Sequence, residues 1–184
     1  IEISGYKPKE DVLIALDIAA SSFYDKNKKM YLIDDTYKNT DQMIEMYKEL
    51  IKKYPIFSIE DPLEEQDFIG FSKLANELNT NIVGDDLYTT NKNLLQKGIE
   101  NKSTNFILLK ANQIGTITEM LETINLAREN NINMIISHRS GETEDTFISD
   151  FAVGLGIPYM KSGSLSRGER ICKYNRLLRI EENL

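Results

Sequence analysis

The chain has 184 residues, 41% hydrophobic and 28% charged, the composition of an ordinary globular protein. That length is one domain's worth and falls short of the roughly 250 residues of a usual eight-stranded α/β barrel. A net charge of −7 excludes a broad nucleic-acid or anionic-membrane surface, while leaving room for a local basic pocket.

The opening IEISGYKPKEDV has no basic stretch followed by an apolar one, so it does not read as a signal peptide. It starts without Met, which suggests a piece of a longer protein. VLIALD then reads as a strand ending at Asp17, and SSFYDKNKKMYLID as a hairpin around the polar turn DKNKK. Thr40 is placed to cap a helix whose stripe is Met43, Met46, Tyr47, Leu50 and Ile51, closed by Pro55. FSIED forms the next strand, ending at Glu60, and Phe68, Phe71, Leu74, Ala75 and Leu78 mark the helix behind it. NIVGDD ends at Asp85, and a shorter helix from Asn91 uses Leu94, Leu95 and Ile99.

FILLK ends at Lys110. Thr116 and Glu119 then have capping-box spacing before Ile117, Met120, Leu121, Ile124 and Ala127. NMIISHRS runs out into His138, Arg139 and Ser140, and residues 145–155 are apolar enough to pack on the sheet. PYMK ends at Lys161. Ser166 and Glu169 repeat the capping-box spacing before a last helix with Ile171, Tyr174, Leu177 and Leu178 facing inward. Cys172 on that helix is the only cysteine, so no intramolecular disulfide forms, as suits a reducing compartment. No apolar run approaches the roughly 18 residues that span a bilayer.

Continuous apolar runs alternating with helical stretches point to βα units and a parallel sheet covered by helices. No linker, low-complexity segment or copied unit divides the chain, so residues 1–184 read as one domain. Polar residues recur where each run ends, which places an active-site bowl on the C-terminal face of a (β/α) barrel with about six of its eight strands.

Each of these residues has a chemical and a plainer reading. Asp17, Glu60 and Asp85 supply the hard oxygen ligands that Mg²⁺ prefers, or else cap helices and pair with lysines. Lys110 is a general base if cations and desolvation lower its affinity for a proton, or else a salt-bridge partner of Asp85 or Glu60. Lys161 offsets developing negative charge, or is a solvated rim lysine. Arg139 and Ser140 suit phosphate, and His138 beside them is a site residue or a structural one. GETEDTF reads as a loop and helix start, and Arg167, Arg170 and Arg179 as solvated or paired with acids such as Glu169.

Six blocks carry a family resemblance: ALDIAASSFY, SIEDPLEEQD, GDDLYTTN, LLKANQIGT, SHRSGETEDTFISD and KSGSLSRGERICKYNRLLRIEENL. Taken in order over nearly the whole chain, they resemble the C-terminal TIM-type barrel domain of the enolase family. The resemblance implies a lyase of glycolysis that reversibly dehydrates 2-phosphoglycerate to phosphoenolpyruvate with Mg²⁺, in the cytoplasm, as a homo-oligomer when intact. It further implies that Asp17, Glu60 and Asp85 ligate the metal, while Asp61 and Asp86 match no ligand. Lys110 would take the C2 proton and Lys161 bind the substrate carboxylate. Arg139 and Ser140 would hold phosphate, with His138 near by and Ser137 supporting the backbone.

The match has gaps. The family's N-terminal α+β domain and first barrel strands have no counterpart here, and nothing matches its general-acid glutamate or the mobile-loop serine on the second magnesium. Gly168 stands for a usually larger residue and Ser162 for a frequent Thr. The expectation is that these 184 residues alone are inactive. Two rival readings are a non-catalytic binding or assembly role and another lyase or racemase of the superfamily. Retention of Lys110 and the acids argues against the first, and the phosphate-type Arg-Ser pair against the second.

Overall fold

All six apolar runs become strands of one sheet in the computed structural model, which describes residues 1–184. In chain order the elements are β1 (Ile14–Asp17), β2 (Tyr24–Asp25), β3 (Met30–Ile33), β4 (Thr36–Lys38), α1 (Thr40–Lys53), β5 (Ile56–Glu60), α2 (Phe68–Glu77) and β6 (Asn81–Gly84). They continue with α3 (Lys92–Asn101), β7 (Phe106–Leu109), α4 (Ala111–Ile114), α5 (Ile117–Glu129), β8 (Asn133–Ser137), α6 (Phe147–Gly154), β9 (Tyr159–Lys161) and α7 (Gly168–Glu181). The main sheet has the order β1-β5-β6-β7-β8-β9, with every neighbouring pair parallel. It is the curled half of an incomplete α/β barrel, as expected, and β1 and β9 are its two edges.

The central strands β6 and β7 are buried on both sides, which is why they read as unbroken apolar runs, while the edge strands β1 and β9 are partly exposed. Along β7, Ile107 and Leu109 face the helices and join a core of 24 buried residues that includes Ile59, Leu74, Ile124 and Ile136. Phe106 and Leu108 alternate to the other face and meet Val83, Phe57 and Ile135 in a separate small cluster. Phe57 reaches that face through a bulge: Ile14 pairs with Ile56 but Ala15 with Ser58, leaving one extra residue on β5.

Several local expectations are corrected. The expected hairpin gains a third strand, β4, through a tight turn at Asp34 and Asp35, both with positive φ. A DD pair lacks the Asn-Gly signal of such turns. Helix α1 is capped by Asn39, not Thr40: Asn39 and Gln42 exchange two side-chain-to-backbone bonds at 2.9 Å each, while the Thr40 hydroxyl reaches Asp67 at 3.3 Å. Its buried face also includes Ile44. Thr116 does cap α5, but Ile117 is 40% exposed and outside the stripe. Ser166 caps nothing. Arg167, with φ 71°, precedes α7 without a side-chain cap, and the helix buries Arg170 and Lys173 while Leu178 is 57% exposed.

Candidate active site

The strand ends converge as the sequence pattern requires. Asp17 and Glu60 end β1 and β5 in direct register, Asp85 follows β6, Lys110 follows β7, and Ser137 of β8 pairs with Lys161 of β9. Parallel strands leave their C-terminal ends on one rim, so these residues share it. A cleft of about 510 Å³ opens there, lined by Asp17, Asp61, Asp85, Asp86, Lys110, Ser137, His138, Arg139, Ser140 and Lys161, with Ala19 its one apolar residue. Glu60 opens instead onto an adjoining groove of about 470 Å³ along the inner face, which shares Asp17 and Lys161 with the cleft.

Two lysines tie the acids together. Lys161 donates to Asp17 at 2.8 Å and to both oxygens of Glu60 at 2.9 and 3.0 Å. Lys110 pairs with Asp85 Oδ2, and its backbone N–H is held by the Thr90 hydroxyl at 2.9 Å. The salt-bridge reading of Lys110 therefore holds for the structure as it stands, whereas Lys161, read as a solvated rim lysine, is corrected: two carboxylates hold it. Asp17, Glu60 and Asp85 occupy one rim but do not form one tight cluster. The tight cluster is Asp61, Asp85 and Asp86, with ligand atoms within 4.8 Å of one another.

Within that cluster the roles differ. Asp61, at φ 43°, accepts the backbone N–H of Asp85 at 2.9 Å and of Asp86 at 2.7 Å, so both its oxygens already hold donors and tie the ends of β5 and β6 together. Asp85 Oδ1, by contrast, is buried with no partner. A buried unpartnered carboxylate oxygen is costly unless something else supplies positive charge. Five carboxyls stand on this rim against the three cations Lys110, Arg139 and Lys161. An oxygen donor set with surplus negative charge fits a hard divalent cation such as Mg²⁺, with Asp85 offering the free oxygen and Asp17 and Glu60 the positions now taken by an ammonium.

Burial sets the proton affinities. It pushes Glu60 up to about 8, against the pull of Lys161, and Asp61 up to about 7, against its two backbone donors. Asp86 is also raised, by burial and then by Asp85. Burial disfavours charge on Lys161 too, but Asp17 and Glu60 outweigh it and hold the ammonium above its usual range. Lys161 therefore keeps its ammonium charge, while burial favours a proton on Glu60. His138 is lowered by burial and by the Arg170 charge beside it.

His138, Arg139 and Ser140 leave β8 together. The His138 backbone N–H donates to the Lys161 carbonyl at 2.9 Å, and the Arg139 guanidinium donates to Asn112 Oδ1 at 2.8 Å. Arg170 corrects an expectation: it is 7% exposed rather than solvated, with its guanidinium on His138 Nδ1 and on the carbonyls of Arg139 and Ser140. Arg167 does pair with Glu169, at 2.8 Å. Asp61 and Arg170 are thus the site residues that pattern reading passes over. Asp61 was visible only as a second acid in FSIED, and Arg170 only as one more charge on a helix.

A family model described as "Enolase, C-terminal TIM barrel domain" matches residues 1–184. A curated protein of Methanopyrus kandleri named "Enolase" is 50% identical over 186 residues, covering 100% of this chain. The chain spans 44% of that relative's length. No helix is long and apolar enough to cross a membrane.

Proposed function

The chain belongs to the enolase family, and from that premise we propose that its cleft is the catalytic end of a phosphopyruvate hydratase, a lyase interconverting 2-phosphoglycerate and phosphoenolpyruvate. One observation carries the reading: acids, two lysines and an Arg-Ser pair meet in a single cleft at the C-terminal ends of parallel strands.

The substrate proton at C2 is weakly acidic, because its loss adds a second negative charge to a carboxylate. Lys110, as the free amine in its largely buried place beside Asp85, takes that proton. The C3 hydroxyl then leaves as water with a proton from a general acid that none of these residues matches. Lys161 turns from Asp17 and Glu60 to the substrate carboxylate and offsets the growing charge. Arg139 and Ser140 hold the phosphate, with His138 completing that side. Asp17, Glu60 and Asp85 are the residues that would hold Mg²⁺, which when bound supplies positive charge at the developing enolate. A cytoplasmic location and assembly into a homo-oligomer belong to the same proposal.

The 184 residues alone are proposed to turn over little. Edge strands β1 and β9 leave unpaired backbone groups beside the site, and no residue here matches the family's general acid. Phosphoenolpyruvate formation by the isolated chain at the rate of an intact enolase would contradict this. The function itself is tested by grafting the chain into the corresponding segment of the Methanopyrus kandleri relative. The graft should form phosphoenolpyruvate, and Lys110→Ala within it should slow exchange of the C2 hydrogen with deuterium by about 10²–10⁴-fold or more while Mg²⁺ still binds. Unchanged exchange in that variant would place the base elsewhere.

A further inference from the structure

Arg170 sits where a surface arginine was expected, yet it is 7% exposed and its closest carboxylate, Glu169, is 3.8 Å away. Its guanidinium is spent on one loop. Nη1 meets His138 Nδ1 and donates to the Arg139 carbonyl at 2.9 Å, and Nη2 donates to the Ser140 carbonyl at 2.9 Å. Three consecutive residues of the cleft wall are thereby held by one side chain. Gly163 closes the arrangement from the other strand end. It has φ 78°, and a Cβ there would come within 2.9 Å of Arg170 Cδ and 3.3 Å of the His138 ring.

The contact with Nδ1 has a chemical consequence. A guanidinium carries only donors and keeps its proton, so the imidazole nitrogen facing it must accept. A neutral ring that accepts at Nδ1 carries its hydrogen on Nε2. A doubly protonated ring would set two donors against each other across this contact.

We infer that Arg170 is a positioning residue: it fixes His138 as the neutral Nε2–H tautomer and pins the Arg139 and Ser140 carbonyls, so that the cleft wall from 138 to 140 meets an anion with donors. His138 then acts as a hydrogen-bond donor and not as a base. The inference rests on the proposed function only for the identity of that anion. Lys173, one turn further along α7, supports the same loop by donating to the Thr143 carbonyl.

The chain has one histidine, so imidazole ¹⁵N NMR of the 184-residue protein gives a single pair of nitrogen signals to assign. At neutral pH the wild type should show Nδ1 unprotonated and Nε2 protonated. Arg170→Met should lose this single tautomer to a mixture and broaden the Arg139 and Ser140 amide signals, and Arg170→Lys should keep the tautomer through its remaining donor. A wild-type ring protonated at Nδ1 overturns the inference, as does an Arg170→Met protein with unchanged tautomer and amides. If Arg170→Met does not fold, the wild-type and Arg170→Lys spectra decide. Titrating inorganic phosphate into the wild-type sample bears on the proposed function alone: a silent Arg139 and Ser140 would count against phosphate binding there, while the tautomer would stand or fall independently.

Discussion

Helices α5 and α7 make an informative pair. They are 13 and 14 residues long, and each is preceded by a hydroxyl residue three positions before a glutamate. In α5 the local signals hold: Thr116 accepts from the Glu119 N–H, and Met120, Thr123, Ile124 and Ala127 are buried. In α7 they fail: the helix starts uncapped and buries Arg170 and Lys173. The difference follows from what each helix faces. Helix α5 packs on the sheet, so burial of apolar area governs it. Helix α7 faces the loop after β8, whose carbonyls need donors. A helix that serves the scaffold keeps the local rules, and one that serves a site departs from them.

That contrast yields graded predictions. The largest effect should come from the scaffold side, where Ile124→Ala removes a fully buried side chain at a cost of about 2–5 kcal/mol in urea unfolding. The His138 signals of the remaining folded protein should not change; if they do, scaffold and site are not separable.

The site end should answer to pH where the scaffold does not. Glu60 is raised from 4.5 to about 8 and Asp61 from 3.8 to about 7, so the folded state binds protons more tightly than the unfolded one. Their contribution is fully present below pH 4 and is lost as pH rises through about 7 to 8. Unfolding titrations should show stability falling by up to about 4 kcal/mol between pH 6 and 9. Added Mg²⁺ should restore part of it at pH 9 and little at pH 5. An equal Mg²⁺ effect at both pH values would argue against carboxylate ligation.

Lys173→Met tests the α7 side directly. The lysine is 1% exposed and donates to the Thr143 and Glu169 carbonyls, so its loss should cost about 1–3 kcal/mol. Hydrogen exchange should accelerate in residues 139–146 and remain slow in α5. Acceleration in both would mean that Lys173 supports the whole fold.

The smallest effects compare the two caps. Thr116→Ala should destabilise by about 1 kcal/mol, whereas Ser166→Ala should stay within about 0.5 kcal/mol. Equal losses in thermal unfolding would show that Ser166 caps α7 after all.

Much of this molecule was legible in its sequence, for a definable reason. Unbroken apolar runs and 3.6-residue stripes report burial along a segment, and each run stops where its strand leaves the core. The six strands, their parallel order and the ring of polar residues from Asp17 to Lys161 follow from that pattern. The enolase-type blocks add which chemistry such a ring is suited to. What tertiary structure alone decided is the pairing across the ring. Lys161 joins Asp17 and Glu60 across 144 and 101 positions of sequence, Asp61 ties two strand ends through backbone donors, and Arg170 is drawn inward to hold His138–Ser140. These contacts leave no periodic trace. A charged side chain finds its partner by distance and burial in the assembled fold, and both depend on how far the sheet curls and on where the helices come to rest.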